Sequence, residues 1–245
     1  MIEPIAIDPR FNGPPDSGNG GYTCGCVARA LGGGPAQVSL RMPPPLGRPL
    51  AVEVDDEGAR LLDGEAVVAE GSRVGPGPAG EVPAAVSLDE ARTATERSFF
   101  RAIDTHPFPT CFVCGPERAA GDGLRIFAGW VEERKLFAAD WSPPESLARE
   151  DGTVPDEIVW AALDCPTSAP GMNAPGPDGT VLPIVLARLA VEVSAPVAAG
   201  ADHVLTSWEI GRDGRKREAG SALFDAGGTL LASARALWIE LRPAA

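Results

Sequence analysis

Apolar residues recur at every second position from Val185 to Val193. Val185, Ala187, Leu189, Val191 and Val193 share one side, with Arg188, Glu192 and Ser194 on the other. A period of two predicts a strand with one buried face and one wetter face. The run EIVWAALD, residues 157–164, shows no such alternation, because Ile158 to Leu163 leaves no polar side. A short helix that is apolar all round must be enclosed by the rest of the molecule. Pro166 predicts that this helix, starting near Pro155, stops at about Asp164. A first helix is predicted over Gly20–Leu31, and the charged segment LDEARTATERSFFRAIDTHPF, residues 88–108, suggests a short amphipathic one.

The strand patterns come in two similar sets. ARLLDGEAVVAEGS, residues 59–72, reads strand, Asp63-Gly64 turn, strand; SALFDAGGTLLASARALWIEL, residues 221–241, reads strand, Asp225-Ala226-Gly227-Gly228 turn, strand. Upstream, QVSLRMPPPLGRPLAVEV parallels VLARLAVEVSAPVAAGADHVLTSWEI, and each set follows a single helix. The chain therefore reads as an internal duplication. A strongly curved antiparallel sheet would enclose each helix. The expected fold class is α+β, with two tandem units, each a curved antiparallel sheet wrapped around a central helix. Residues 1–90 are expected to form the first unit, 91–110 the linker and 111–245 the second.

Length and charge narrow the partners. A chain of 245 residues can bury a substantial core. Its formal net charge of −13 supplies no basic field for nucleic acid or an anionic membrane, and neither is expected as a partner. No window is apolar enough to span a bilayer, and the amino terminus lacks a basic-then-apolar pattern, so a cytoplasmic location is expected. Five cysteines, an odd number, argue against a disulfide scaffold.

Three stretches carry a family resemblance. GNGGYTCGCVARAL, CFVCGPERAAGDGLRIFAGW and EIVWAALDCPTSAP, in this order, resemble the hotdog-fold acyl-CoA thioesterases, in their double-hotdog, acyl-CoA thioesterase II-like form. The resemblance implies acyl-CoA or a similar acyl thioester as substrate, no cofactor, and assembly into a homo-oligomer. It also implies a catalytic carboxylate at Asp164. The family pairs that Asp with a hydroxyl residue and a Gln, whose positions fall near Leu186 and Ala236 here; neither residue can hold a water molecule. Thr167 and Ser168 are the nearest hydroxyls that could substitute. A non-catalytic acyl or CoA binder is therefore the alternative function.

The residues themselves give physical reasons for these sites. The first N–H groups of a helix have no intrahelical partners and carry the positive end of its dipole, which suits a developing oxyanion. Gly20 and Gly21 leave that approach unobstructed, with Asn19 and Tyr22 beside them; the alternative is a plain Asn cap after a glycine-rich turn. Asp164, in apolar surroundings, would be a strengthened base or nucleophile, or else the acceptor of an Asx turn. Arg212, Arg215 and Lys216 in GRDGRKRE could receive the phosphates of coenzyme A, or could form a solvated hairpin around Asp213-Gly214. No metal is expected. Cys111 and Cys114 make half of a zinc site, His106 reads as a loop residue, and Cys24, Cys26 or Cys165 would have to converge on the pair; packing as small apolar groups is the simpler account.

Overall fold

The computed structural model describes residues 3–172 and 183–241. In the first half, a short strand β1 (Ile5–Ala6) precedes helix α1 (Gly20–Ala30). Four strands follow: β2 (Ala36–Leu40), β3 (Pro49–Val54), β4 (Ala59–Asp63) and β5 (Ala66–Arg73). After helix α2 (Leu88–Arg97), the second half has β6 (Gly129–Val131), β7 (Leu136–Trp141), helix α3 (Asp156–Gly171) and four long strands. These are β8 (Ile184–Val193), β9 (His203–Asp213), β10 (Lys216–Asp225) and β11 (Leu230–Glu240).

All eleven strands join one antiparallel sheet in the order β1-β3-β4-β5-β2-β8-β11-β10-β9-β7-β6. The order β3-β4-β5-β2 in the first half is repeated as β9-β10-β11-β8 in the second. The duplication read from the sequence is thus a duplication of topology, and the two copies meet at equivalent strands. At that seam Ala36 pairs with Val191 and Ser39 with Arg188. Two of the hairpins turn on glycines in the left-handed conformation, Gly64 at φ 61° and Gly214 at φ 55°. The fold is α+β with two units, each half of the continuous sheet wrapping around one helix.

Each helix lies mainly against its own half of the sheet: α1 packs on β2 to β5 and touches β8 at the seam, and α3 packs on β7 to β11. The two helices also pack on each other. That contact depends on glycines one turn apart. A Cβ added at Gly21 would lie 2.4 Å from the Cβ of Asp164, and one at Gly25 would lie 2.6 Å from the Cα of Glu157. The glycine-rich start of α1 therefore permits close approach of a second helix, not only a turn.

Helix α3 runs on through Pro166 to Gly171, seven residues beyond the end that the sequence predicts at Asp164. The reason is local. Pro170 has no N–H to offer the carbonyl of Pro166, and the Ser207 hydroxyl of β9 donates to that carbonyl instead, at 2.7 Å. The Ser221 hydroxyl of β10 donates to the Leu163 carbonyl, and Thr167 and Ser168 donate back to the carbonyls of Asp164 and Cys165. The enclosing sheet thus supplies hydrogen bonds to a helix that proline would otherwise interrupt. The enclosure itself is as the apolar run requires, since every residue from Glu157 to Gly171 is buried.

Helix α2 starts with a capping box between Ser87 and Glu90 and buries Ala91 and Ala94 on β6 and β7 of the second half. It forms a small outer core with Leu136, Val204, Ala222 and Phe224, on the sheet face away from α3.

Candidate functional site

The continuation of α3 places Asp164 in the middle of the helix. It is remote from the unfavourable dipole end that a helix stopping there would imply. Its carboxylate meets the amino-terminal end of α1. Oδ2 accepts from the Gly21 N–H at 2.8 Å and from Asn19 Nδ2 at 3.3 Å. Asn19 is held by a second bond, because its Oδ1 caps the helix by accepting from the Tyr22 N–H at 2.8 Å. Its amide orientation follows from these bonds, with oxygen toward the helix donor and nitrogen toward the carboxylate. Oδ1 of Asp164 is buried and has no hydrogen-bond partner among the described residues.

Burial pushes the Asp164 carboxyl up to about 7, against the opposing pull of the Gly21 N–H and the Asn19 amide; the neighbouring Cys111 adds to the rise. Both donors address the same oxygen.

A cavity of about 470 Å³ opens beside this carboxylate. Its wall is mainly apolar, with Leu40, Met42, Phe100, Phe108, Leu186 and Trp238 contributing from both halves of the chain. The polar groups on it include Asn19, Asp164, Ser168 and Arg41, and it is bordered by the thiols of Cys111, Cys114 and Cys165. A concave, mostly apolar space with a few convergent polar groups is the usual form of a small-ligand site.

The cavity brings some of the residues anticipated from sequence together and leaves others apart. Asn19, Gly20, Asp164 and Ser168 line it. The Gly21 N–H is engaged by Asp164, whereas the Gly20 N–H, one residue earlier in the first turn, has no acceptor among the described residues. Gly20 faces Leu186, and a Cβ there would lie 2.8 Å from the leucine Cδ2. Ala236 is buried in β11, off the cavity wall, while Trp238 two residues on contributes to it. Thr167 lies behind the helix, where its hydroxyl donates to the Asp164 carbonyl and accepts from Trp238 Nε1 at 2.8 Å. The Tyr22 ring stacks on Phe11, 4.0 Å between centroids, outside the cavity. Arg212, Arg215 and Lys216 sit around the exposed β9–β10 hairpin, away from the cavity wall; Arg212 pairs with Glu209, and Arg215 donates to the Glu240 carbonyl.

Three features of the wall depart from the sequence reading, which does not name Arg41, takes His106 as a loop residue, and prefers simple packing for the cysteines while naming Cys165 among those that would have to converge. Arg41 follows β2 and is an exposed cation at the cavity, paired with Glu70. His106 is buried there, its Nδ1 accepting from the Phe108 N–H at 2.9 Å, and burial lowers its pKa. Cys111 and Cys114 meet Cys165. Only the Cys-x-x-Cys spacing signals any of these in the sequence.

The fold has solved counterparts. A tesB protein of Mycobacterium avium subspecies paratuberculosis superposes with a TM-score of 0.60 at 13% identity, over 94% of this chain and 89% of that one. A hot dog fold protein of unknown function from Alicyclobacillus acidocaldarius gives a TM-score of 0.61 at 13% identity, over 97% and 92%. At such identities the likeness establishes the fold, which is the hotdog fold, matched along nearly the whole chain by these proteins. No protein-family model and no curated protein matches the sequence.

Proposed function

We propose that this double-hotdog chain hydrolyses an acyl thioester of the acyl-CoA class in the cavity beside Asp164. The observation that carries this reading is the buried carboxylate with one oxygen fixed and the other left without a partner. Oδ2 is anchored by Gly21 and Asn19, and Oδ1 has no partner among the described residues. A thioester whose carbonyl oxygen rests on the Gly20 N–H would have its developing oxyanion stabilised at the helix end, an effect worth about 2.7–4 kcal/mol for a single donor elsewhere. Oδ1 then takes a proton from water as the water oxygen attacks the carbonyl carbon. Collapse of the tetrahedral intermediate breaks the C–S bond, and the thiolate leaves with the proton returned by Asp164. The products are a carboxylic acid and a free thiol. The apolar wall would receive the acyl chain, and Arg41 stands where a phosphate of the carrier could be met.

A second reading, a binder that retains the pocket without turnover, is favoured by two observations. Leu186, at the position where the resemblance expects a hydroxyl, covers Gly20, and the Ser168 hydroxyl already donates to the Cys165 carbonyl. A panel of acyl-CoAs separates the two. The hydrolytic reading expects turnover by the wild type and a loss of about 10²–10⁴-fold in Asp164→Asn, the span typical of a removed general base. Equal rates in both proteins would take Asp164 out of the mechanism. Absence of turnover, with calorimetric binding of acyl-CoA, would establish the binder.

A further inference from the structure

The cavity wall carries a group of side chains that the proposed hydrolysis does not use. The Sγ atoms of Cys111, Cys114 and Cys165 all lie within 4.8 Å of one another, and all three residues are buried. Cys111 and Cys165 are 3.8 Å apart, although 54 residues separate them in the chain. A tetrahedral ion with bonds of ~2.3 Å to sulfur sets neighbouring sulfurs ~3.8 Å apart. The spacing fits, and no cross-link is present: all five cysteines are free.

The surroundings favour a cation over three packed thiols. Asn19 Nδ2 approaches two of the sulfurs, Cys165 at 3.8 Å and Cys111 at 4.0 Å, as an outer-shell donor to thiolates would. The pair in the Cys-x-x-Cys segment is rigidly presented. The Phe112 N–H bonds to the Asn12 carbonyl and the Gly115 N–H to the Cys111 carbonyl, with no room for a Cβ at Gly115, 2.4 Å from that same oxygen. Cys165 comes from α3, held by the same serine and threonine bonds that carry the helix past Pro166. Cys24 and Cys26 are not part of the group. His106 is not a ligand in this arrangement: its Nδ1 accepts the Phe108 N–H, so the neutral ring keeps its proton on Nε2.

We propose that Cys111, Cys114 and Cys165 hold a thiophilic divalent metal ion of the zinc type, with its fourth coordination position facing the cavity. Three thiolates and one dication leave a single negative charge, which the Asn19 amide faces. Binding displaces the thiol protons to solvent. Three protein ligands leave the fourth position for water or a small ligand, in contrast to the four protein ligands of a purely structural site. This inference departs from the metal-free expectation of the sequence and stands independently of the hydrolytic reading.

The test uses the whole chain, reduced and stripped with a chelator, then titrated with Co²⁺. The expected result is one cobalt per chain, thiolate-to-cobalt charge-transfer absorption, the intense visible bands of a tetrahedral site, and bleaching of all of these by Zn²⁺. Cys165→Ser should lose the charge-transfer absorption by at least half, whereas Cys26→Ser should retain it. Should Cys165→Ser fail to fold, X-ray absorption on the zinc-loaded wild type decides, with three sulfurs at ~2.3 Å and one lighter atom expected. A wild type that gives no charge-transfer absorption, a signal unchanged in folded Cys165→Ser, or a zinc shell of oxygen and nitrogen alone would overturn the site.

Discussion

The two central helices occupy equivalent places in equivalent units, yet they contribute different parts of themselves to the site. α1 offers its end: Asn19 caps it, Gly20 presents an N–H, and Gly21 and Gly25 let the other helix come close. α3 offers its middle: Asp164 sits halfway along a helix that is buried on every side. At the opposite end of the helix pair the relation is not mirrored. There Glu157, in the first turn of α3, lies against Gly25 and forms an ion pair with Arg29. One end of the pair is closed by opposite charges, and the other holds an unpaired carboxylate beside an apolar cavity. The duplication supplied two helix ends, and the side chains placed a carboxylate beside a cavity at only one of them.

Substitutions can break or sharpen that contrast. The largest effect expected is the loss of acyl-CoA turnover in Asp164→Asn, while the corresponding change at the other end, Glu157→Gln, should alter turnover less than about threefold, since that residue lies off the cavity. Next in size is Gly21→Ala. Alanine is favoured over glycine in a helix by about 1 kcal/mol, but its Cβ would press on Asp164 and on the Trp160 carbonyl 2.7 Å away. Overpacking against backbone outweighs the propensity, and a net loss of about 1–3 kcal/mol should appear in urea unfolding. A stabilised Gly21→Ala protein would show that the helices have room to separate.

Smaller still is Arg41→Ala, which should raise the KM for acyl-CoA several-fold at unchanged kcat and leave the KM for an acyl-pantetheine, lacking the nucleotide phosphates, nearly constant. A fall in kcat would assign Arg41 to the reacting atoms instead. Arg215→Ala should be smallest, with both constants within about twofold of wild type, because an exposed side chain off the cavity contributes little.

The legible parts of this molecule are those fixed by short-range pattern. The alternation through β8, the Asp-Gly turns and the all-apolar run of α3 depend on neighbours in the chain, and each led to the right element, although a bulge at Ala187 breaks the alternation, leaving Val185 exposed and Leu186 on the cavity wall. The end of α3 did not follow from its own sequence. Pro166 is a local signal to stop, and the signal to continue comes from Ser207 and Ser221 on strands more than forty residues away. The electrostatic setting of Asp164 changed with it, from a helix terminus to a buried mid-helix position where desolvation dominates. The thiol group was half legible for the same reason: the Cys-x-x-Cys pair is visible as spacing, and Cys24, Cys26 and Cys165 stand as equal candidates to join it until the packing of α3 selects one. Likewise, the two glycines at the start of α1 are visible as a break in side-chain bulk. That one faces Leu186 and the other Asp164 depends on the seam between the halves.

The central claim is that the reacting carbonyl lies between the Gly20 N–H and the free oxygen of Asp164. A crystal structure with a ketone analogue of acyl-CoA, in which a methylene separates sulfur from the carbonyl, tests it most directly. The carbonyl oxygen should lie about 3 Å from the Gly20 nitrogen, with the acyl chain among Leu40, Phe108 and Trp238. An analogue bound with its carbonyl turned away from α1, or with its chain outside the cavity, would contradict the account.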